Sequence, residues 1–593
     1  MKLVVPYVGR IQPVDARLVR LAEFLGIDCV ELPLERQSSN LAESLLRAIP
    51  QGPVCLVVNP GVLRDWLPSD ALLKELAEAL SRTSLKLLVH ALDSDEISAR
   101  LVATLSAGRI ESVQPVGSGD VAYRFARDSA DVCERFADLS FGPANGANDR
   151  VLAVRAGEAS VRVLAVCGEQ PFLASTKLGQ AEIFFLASRD VLDIDTAVGE
   201  APLTDYFSRF VPHTMVLRHV FGAESWRPSS QRAAVIIDDP LLRRRYGHMH
   251  YDTLHRLVKQ HNFHATIAFI PHNFRRSAPS IVKLFLENPK HLSICFHGND
   301  HTGAELAAKD SALLNTMMQI AGNRMQTHHA KTGLSCDRVM VFPQGNFSVE
   351  AMGVLKAHNF EACVNTSGQP TGQPVALTLR ELAQPALLRY ANFPLFLRSK
   401  IPQTQRHNIA FNLFFGRPVL IVAHHDAFER PQELAEVVDR INEVAPGIVW
   451  NNLSGVVRNS FLERYSPDGI RRIRAFSGVV QAANSGTARQ AITMEWPNDE
   501  SMPAGKEILQ DLVPIPSESN ADCVRIAVTL DPGAGSVFSM LQSNPYPMLE
   551  GLGFRRQAKA FVRRRLSEVR DNYLSQNPRV LAVAKALQRP LSA

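Results

Sequence analysis

Three short segments of this 593-residue chain combine side chains that bind metals with side chains that move protons. The first is Val235-Ile236-Ile237-Asp238-Asp239-Pro240, where two adjacent carboxylates close an apolar run. Side chains alternate along a strand, so the two aspartates start out pointing in different directions. One can bind a metal while the other faces a substrate; a plain loop start or helix cap is the competing reading. The second is Leu292-Ser293-Ile294-Cys295-Phe296-His297-Gly298-Asn299-Asp300-His301. An H-x3-H spacing on one side of a helical turn sets two imidazoles at the separation a single divalent ion needs. Two solvated loop histidines are the alternative. The third is Val419-Leu420-Ile421-Val422-Ala423-His424-His425-Asp426. Histidine titrates near neutral pH and can give a proton to a leaving group. The alternative is one His that packs and hydrogen-bonds Asp426. Fifteen of the eighteen histidines fall between His248 and His425, which locates the chemistry in that part of the chain. One Asp, two His and open coordination positions describe a hydrolytic metal site with room for water.

These segments need elements that hold them together. From Ala233 to about Trp450 the sequence alternates strand and helix patterns. Strands are predicted at Ala234–Asp238, His264–Ile270, Leu292–Phe296, Val339–Phe342, Glu361–Asn365, Leu387–Tyr390, Val419–Ala423 and Gly447–Trp450. Helices are predicted at Tyr251–His261, Ser348–His358 and Gln432–Val444. Seven or eight such units in about 220 residues predict a (β/α) barrel, whose active sites form at the C-terminal ends of the strands. All three segments sit at such ends. Before them, residues 1–225 read as a Rossmann- or flavodoxin-like α/β region with a β-rich annex, and Ser225–Ser230 as a linker. The expected domains are 1–225, the barrel at 226–453, an accessory β-rich domain at 454–553, and a basic helical tail at 554–593. In that tail Val562, Leu566, Val569 and Tyr573 recur at helical spacing beside Arg563–Arg565, and Pro578 would interrupt the helix.

Composition removes several classes. Hydrophobic residues are 46% and charged residues 21%, which excludes wholesale disorder. No apolar run approaches the ~20 residues of a membrane span. Met1–Tyr7 reads as a first strand and not as a signal peptide. Eight scattered cysteines form no CxxC motif, which argues against a thiolate zinc site or a disulfide framework and fits a reducing cytoplasm. Net charge is +5, but Phe554–Ala593 holds ten Lys/Arg and two acids, a net of +8, leaving 5 − 8 = −3 for the rest. The body is therefore not expected to bind nucleic acid. The basic tail fits a peripheral contact with the inner membrane face or an acidic partner, or a helix packed on the body with its arginines solvated.

Taken in order, these motifs resemble the polysaccharide deacetylase family of carbohydrate esterases, over about residues 230–450. Members carry Asp-Asp on the first strand, H-x3-H on the third, Pro-x-Gly after a later strand, and His at the end of a late strand. Here these are Asp238-Asp239, His297…His301, Pro343-Gln344-Gly345-Asn346, and His424 or His425. Ala351–Asn365 is also similar to the family's helix and strand after Pro-x-Gly. The resemblance implies a distorted (β/α) barrel that removes acetyl groups from an N-acetylated sugar or glycan intermediate. It implies that Asp239, His297 and His301 hold one divalent ion, usually zinc, that Asp238 is the general base, and that His424 or His425 is the acid. Gly345, Asn346 and Arg389 are the candidate substrate or oxyanion contacts.

There are departures. Val341 stands where the family has the Arg that orients the catalytic Asp, leaving Arg243, Arg244, Arg245 or Arg389 as replacements. Gln344 replaces a frequent aromatic, and Pro240 replaces a Gly. A different metal-dependent amide or ester hydrolase, or a degenerate barrel that binds glycan or a partner without turnover, are the alternatives. Of the remaining features, His272-Asn273 reads as a turn and His328-His329 as helix surface. Pro171–Ser188 is similar to the flavodoxin-like amidotransferase fold, without a Cys-His-Glu triad, which implies a scaffold or interaction role.

Overall fold

A computed structural model describes residues 1–34, 45, 49, 52–66, 69–117, 121–144, 147–199, 202–497, 507–520, 522–541 and 543–574. The expected break at Pro578 lies outside the described residues. The chain is mixed α/β and forms two compact units. One comprises Met1–Arg227, Ala376–Ala383 and Glu463–Gly469; the other comprises Pro228–Val375, Gln384–Leu462 and Ile470–Ala593.

The first unit is built on a nine-stranded sheet. Cys29–Leu34, Lys2–Val8, Val54–Val58, Lys86–Val89 and Ala181–Leu186 pair in parallel. The hairpin Gln170–Leu186 then reverses direction, and Arg162–Cys167, Tyr123–Phe125 and Ser140–Phe141 follow antiparallel. Two strands of the β-rich annex, Arg162–Cys167 and Ala181–Leu186, thus join the sheet of the α/β region, while Arg150–Val154 pairs with Ile110–Pro115 in a separate two-stranded sheet. Val54–Val58 is buried along its whole length, as a strand covered on both faces must be. Ser225 and Trp226, expected in a linker, are buried in this unit.

The second unit carries all three chemistry-bearing segments. Its principal sheet comprises β1 (Arg232–Asp238), β2 (Ala265–Phe269), β3 (Leu292–Phe296), β4 (Cys336–Val341), β5 (Ala362–Asn365), β6 (Leu395–Leu397), β7 (Ser399–Lys400), β8 (Val419–Ala423) and β9 (Val449–Trp450). Every pairing is parallel, in the order β6-β5-β4-β3-β2-β1-β8-β7, with β9 on the start of β1. Among the described residues no ladder closes this sheet, where the sequence predicts a distorted (β/α) barrel. Its edges are nevertheless close together. Laid flat at ~4.8 Å per strand, eight strands would part the edges by more than ~30 Å. Here β6 and β7 are separated by Arg398 alone, so the edges lie within about 7 Å of each other. The sheet must curl until one extended segment, Leu395–Lys400, serves β5 with its first half and β8 with its second.

Parallel pairing in register puts the strand ends at one edge. Asp238 pairs Ala268, Ala268 pairs Cys295, and Ile237 pairs Ala423. Leu387–Tyr390 is not a strand: Leu387 makes only an isolated bridge to Leu395, and the strand is Leu395–Leu397. Helix Ser311–Thr332 buries Leu314, Met318, Ala321, Met325 and His328 at helical spacing, so His328 belongs to its inner face and not to the surface. His328 packs on Phe269 with ring centroids 5.2 Å apart, and its Nε2 is 2.9 Å from Ser277 Oγ. Beyond Ile470 two β-sheets enclose an apolar core that includes Ile473, Val480, Met494, Trp496, Ile526 and Phe538. Helix Phe554–Val569 follows and continues as Arg570–Leu574.

Candidate metal centre

β1 ends at Asp238, and Asp239 follows with φ +80°. Asp and Asn tolerate this left-handed conformation better than most residues, and it turns the second carboxylate away from the first. Asp238 is buried and accepts two parallel hydrogen bonds from Arg398, each 2.7 Å. Burial alone would raise its carboxyl, but Arg398, with His297 and His424, holds it below the ordinary carboxylate range. Asp239 Oδ1 lies 3.6 Å from His297 Nε2 and 3.2 Å from His301 Nε2. One ligand atom from each of the three residues falls within 4.8 Å of the other two. Burial would raise Asp239 as well, yet His297, His301 and Arg564 hold it well below the usual range.

Both imidazoles are placed by the backbone. His297 Nδ1 is 2.9 Å from the Val341 carbonyl. Donation to that oxygen puts the proton on Nδ1 and leaves the Nε2 lone pair facing Asp239, the tautomer a metal requires. His297 is raised because Asp238 and Asp239 outweigh its burial, whereas burial pushes His301 down to about 4. The H-x3-H segment is a loop, not the expected helical turn. It wraps the buried Glu305 carboxylate, which accepts from the N–H groups of Asn299 (2.9 Å), Asp300 (3.0 Å) and His301 (2.8 Å). At Gly298 φ is +65°, and a Cβ there would stand 2.1 Å from Glu305 Oε1, so only glycine fits. Asp300 is braced by Arg324 at 2.6 Å and His272 at 3.2 Å, which gives His272 a place behind the loop.

His424 and His425 face opposite ways. His424 is half-exposed in a cleft of about 1040 Å³ that Asp238, Asp239, His297, His301, Gly345 and Arg398 also line. Its Nε2 is 3.8 Å from Asp238 Oδ2. His425 turns to Tyr246, ring centroids 5.5 Å apart, and its acidic neighbour is Asp571 at 3.8 Å, not Asp426. The N–H groups of Gly345 and Asn346 both donate within their own turn, to Phe342 and Pro343 at 3.2 Å. Asn346 Oδ1 accepts from Thr371 at 3.1 Å, away from the cleft. Arg389 is exposed, and Arg243, Arg244 and Arg245 are exposed too; none lines the cleft. The guanidinium on Asp238 is Arg398, which sequence reasoning missed. Leu395-Phe396-Leu397 is an apolar run closed by a charged residue, but three residues are too few to mark a strand in the sequence. Arg570, from the C-terminal helix, also lines the cleft and was likewise not anticipated.

One carboxylate and two imidazoles with further positions open form a ligand set for a single divalent ion, as in hydrolytic metal centres. Asp239 Oδ1 is buried and accepts no hydrogen bond, so a cation at this point would satisfy it. No family model and no curated protein matches the chain. Its neighbours among solved structures include proteins described as carbohydrate deacetylases. The chain is similar to Agd3, described as a novel carbohydrate deacetylase, at 9% identity over 91% of this chain and 98% of that one, with a TM-score of 0.47. It is similar to a family 4 acetyl xylan esterase from Clostridium thermocellum in complex with a cobalt ion, at 13% identity over 38% of this chain and 90% of that one, TM-score 0.24. It is similar to the catalytic domain of a peptidoglycan N-acetylglucosamine deacetylase from Eubacterium rectale, at 11% identity over 38% and 91%, TM-score 0.23.

Proposed function

We propose that this chain is a metal-dependent hydrolase that removes an acetyl group from an N-acetylated sugar or glycan. The convergence of Asp239, His297 and His301, with Asp238 beside them, carries the reading. Two imidazoles and one carboxylate suit zinc, whose Lewis acidity would polarise the acetyl carbonyl and make a water acidic enough to attack at neutral pH. Asp238 takes the proton of the attacking water on a carboxylate oxygen. Arg398 keeps that carboxylate ionised and fixes its plane by two parallel N–H···O bonds. His424 Nε2, exposed to the cleft and near Asp238, gives its proton to the departing amine. His425 instead packs behind the cleft against Tyr246 and Asp571. A reading without turnover drew its support from the missing Arg before Pro343. Arg398 removes that support, because it reaches the same carboxylate from another strand.

The test is acetate release from an N-acetylated sugar oligomer by the zinc-loaded chain, beside Asp238→Asn. The substitution is expected to keep about one zinc per chain and lower turnover by roughly 10²–10⁴-fold. Undiminished turnover would remove Asp238 as the base, and absence of bound metal in the wild type would remove the hydrolase reading.

A further inference from the structure

The helix Phe554–Val569, with its continuation Arg570–Leu574, turns a polar face inward and an apolar face outward. Its buried residues include Arg564 and Asp571. Arg564 donates to Tyr246 Oη at 3.3 Å, and Tyr246 donates to Asp571 at 2.7 Å. Gly247 N–H donates to Asn572 Oδ1 at 2.9 Å, and Arg276 pairs with Glu568. At ~100° per residue, Val562, Leu566, Val569 and Tyr573 form one stripe on the opposite side. They are 55%, 64%, 47% and 72% exposed. Lys559 and Arg563 flank this stripe on one side and Arg565, 3.4 Å from Glu568, on the other, whereas Arg570 pairs with Asp571 at 2.7 Å and lines the cleft. Glu568 and Asp571 are largely buried and also bond Arg276 and Tyr246, so the charges presented beside the stripe are the cations Lys559, Arg563 and Arg565.

Single exposed apolar residues need no explanation, but four in a row on a helix that buries its charges do. We propose that this face of the helix docks on an anionic lipid surface. Val562, Leu566, Val569 and Tyr573 would enter the boundary between headgroups and acyl chains, with the flanking Lys and Arg on lipid phosphates. Charge complementarity selects this occupant. Two copies packed stripe to stripe would set the flanking cations against each other, whereas an anionic surface meets both flanks with counter-charge. The helix lies on the surface and does not span it: no helix among the described residues is long and apolar enough to cross a membrane. The proposal is independent of the hydrolase reading.

The experiment is co-sedimentation of the full chain with vesicles of phosphatidylcholine alone and of phosphatidylcholine mixed with phosphatidylglycerol. Binding is expected on the mixed vesicles, weakened by salt, and roughly tenfold or more weaker on phosphatidylcholine. Val562→Ser with Leu566→Ser should cost roughly tenfold or more in partitioning, and Arg563→Glu with Arg565→Glu a similar factor. All four side chains point outward or flank the stripe, and an unchanged circular dichroism spectrum reports that the fold is kept. Failure to bind mixed vesicles, or equal binding by the Val562→Ser/Leu566→Ser chain, would overturn the proposal. A concentration-dependent dimer that the same substitutions dissolve would assign the stripe to a second copy instead.

Discussion

At Asp238 the chain leaves β1, and at Asp239 it enters a left-handed turn, so two adjacent carboxylates meet different partners. Asp238 goes to a guanidinium and Asp239 to two imidazoles. The guanidinium is specific in shape: lysine cannot make the two parallel bonds that Arg398 makes. Arg398→Lys should therefore lower turnover by roughly 10²-fold while metal content stays unchanged, because Arg398 touches Asp238 and none of the three candidate ligands. Steady-state kinetics with metal analysis on the same preparation decides it; loss of metal along with turnover would make Arg398 a folding residue. Asp238, Asp239, His297 and His424 could be read as neighbours because each directly closes or follows a five- to seven-residue apolar strand. Arg398 could not, since its strand is three residues long and stands behind Pro394. The orientation of His424 and His425 also follows from strand alternation, but which of them faces the cleft depends on Tyr246 and Asp571.

Among elements, the loop after β3 shows how much of the site rests on backbone. The H-x3-H spacing pointed to one side of a helical turn, yet three N–H groups of this loop converge on Glu305 instead. The spacing marked two imidazoles that the structure does bring together, but not through a helical turn, because periodicity does not register a buried carboxylate four residues later. Gly298→Ala tests the loop. The added Cβ meets Glu305 Oε1 at 2.1 Å and must sit at φ +65°, so the wrap has to open and His301 must move. Zinc affinity, measured by competition with a chelator, should fall by roughly 10–100-fold, the range seen when groups behind metal ligands are disturbed. Affinity equal to wild type would show that His301 is positioned without the wrap. Strands of five or more apolar residues were visible in the sequence almost to the residue. The three-residue β6 was not, and Leu387–Tyr390 drew the prediction only because it is apolar. The rhythm of βα units predicts a distorted barrel, whereas the short β6 and the two-residue β7 pair only with β5 and β8, and the ladders among the described residues leave the sheet open.

At the scale of the whole chain, the mixed α/β character was legible from strand and helix rhythm. The seating of the C-terminal helix was not, because Asp571 bonds Tyr246 from 325 residues away and no local pattern records such a pairing. A chain with this many buried ionisable groups should have a stability that responds to pH. In the unit that holds the candidate metal site, burial pushes the His264 and His328 imidazoles down to about 4, from an ordinary 6.5. Burial and the nearby Glu361 push the Asp337 carboxyl up to about 7, from an ordinary 3.8. Between pH 6.5 and 4 the unfolded chain protonates both imidazoles and the folded chain neither, while the folded chain protonates Asp337 and the unfolded chain does not. Of these three groups the unfolded state thus binds 2 − 1 = 1 more proton, so together they lower stability as pH drops, by about 1.4 kcal/mol per unit. His358 and His407, also pushed down by burial, act with the two imidazoles, and Glu305, pushed up by burial, acts with Asp337. In the metal-free chain His297 is raised and His301 lowered, so these two act in opposite directions. In the other unit His213, buried and pushed well below its ordinary value, adds a loss of the same sign. Urea midpoints of the metal-free chain should therefore decline from pH 6.5 to 4, and His264→Gln should flatten the decline in the transition of the metal-site unit. A wild-type midpoint that holds or climbs over this window would mean that the buried imidazoles are protonated in the fold, and that His264 and His328 have charge partners which the observed packing does not supply.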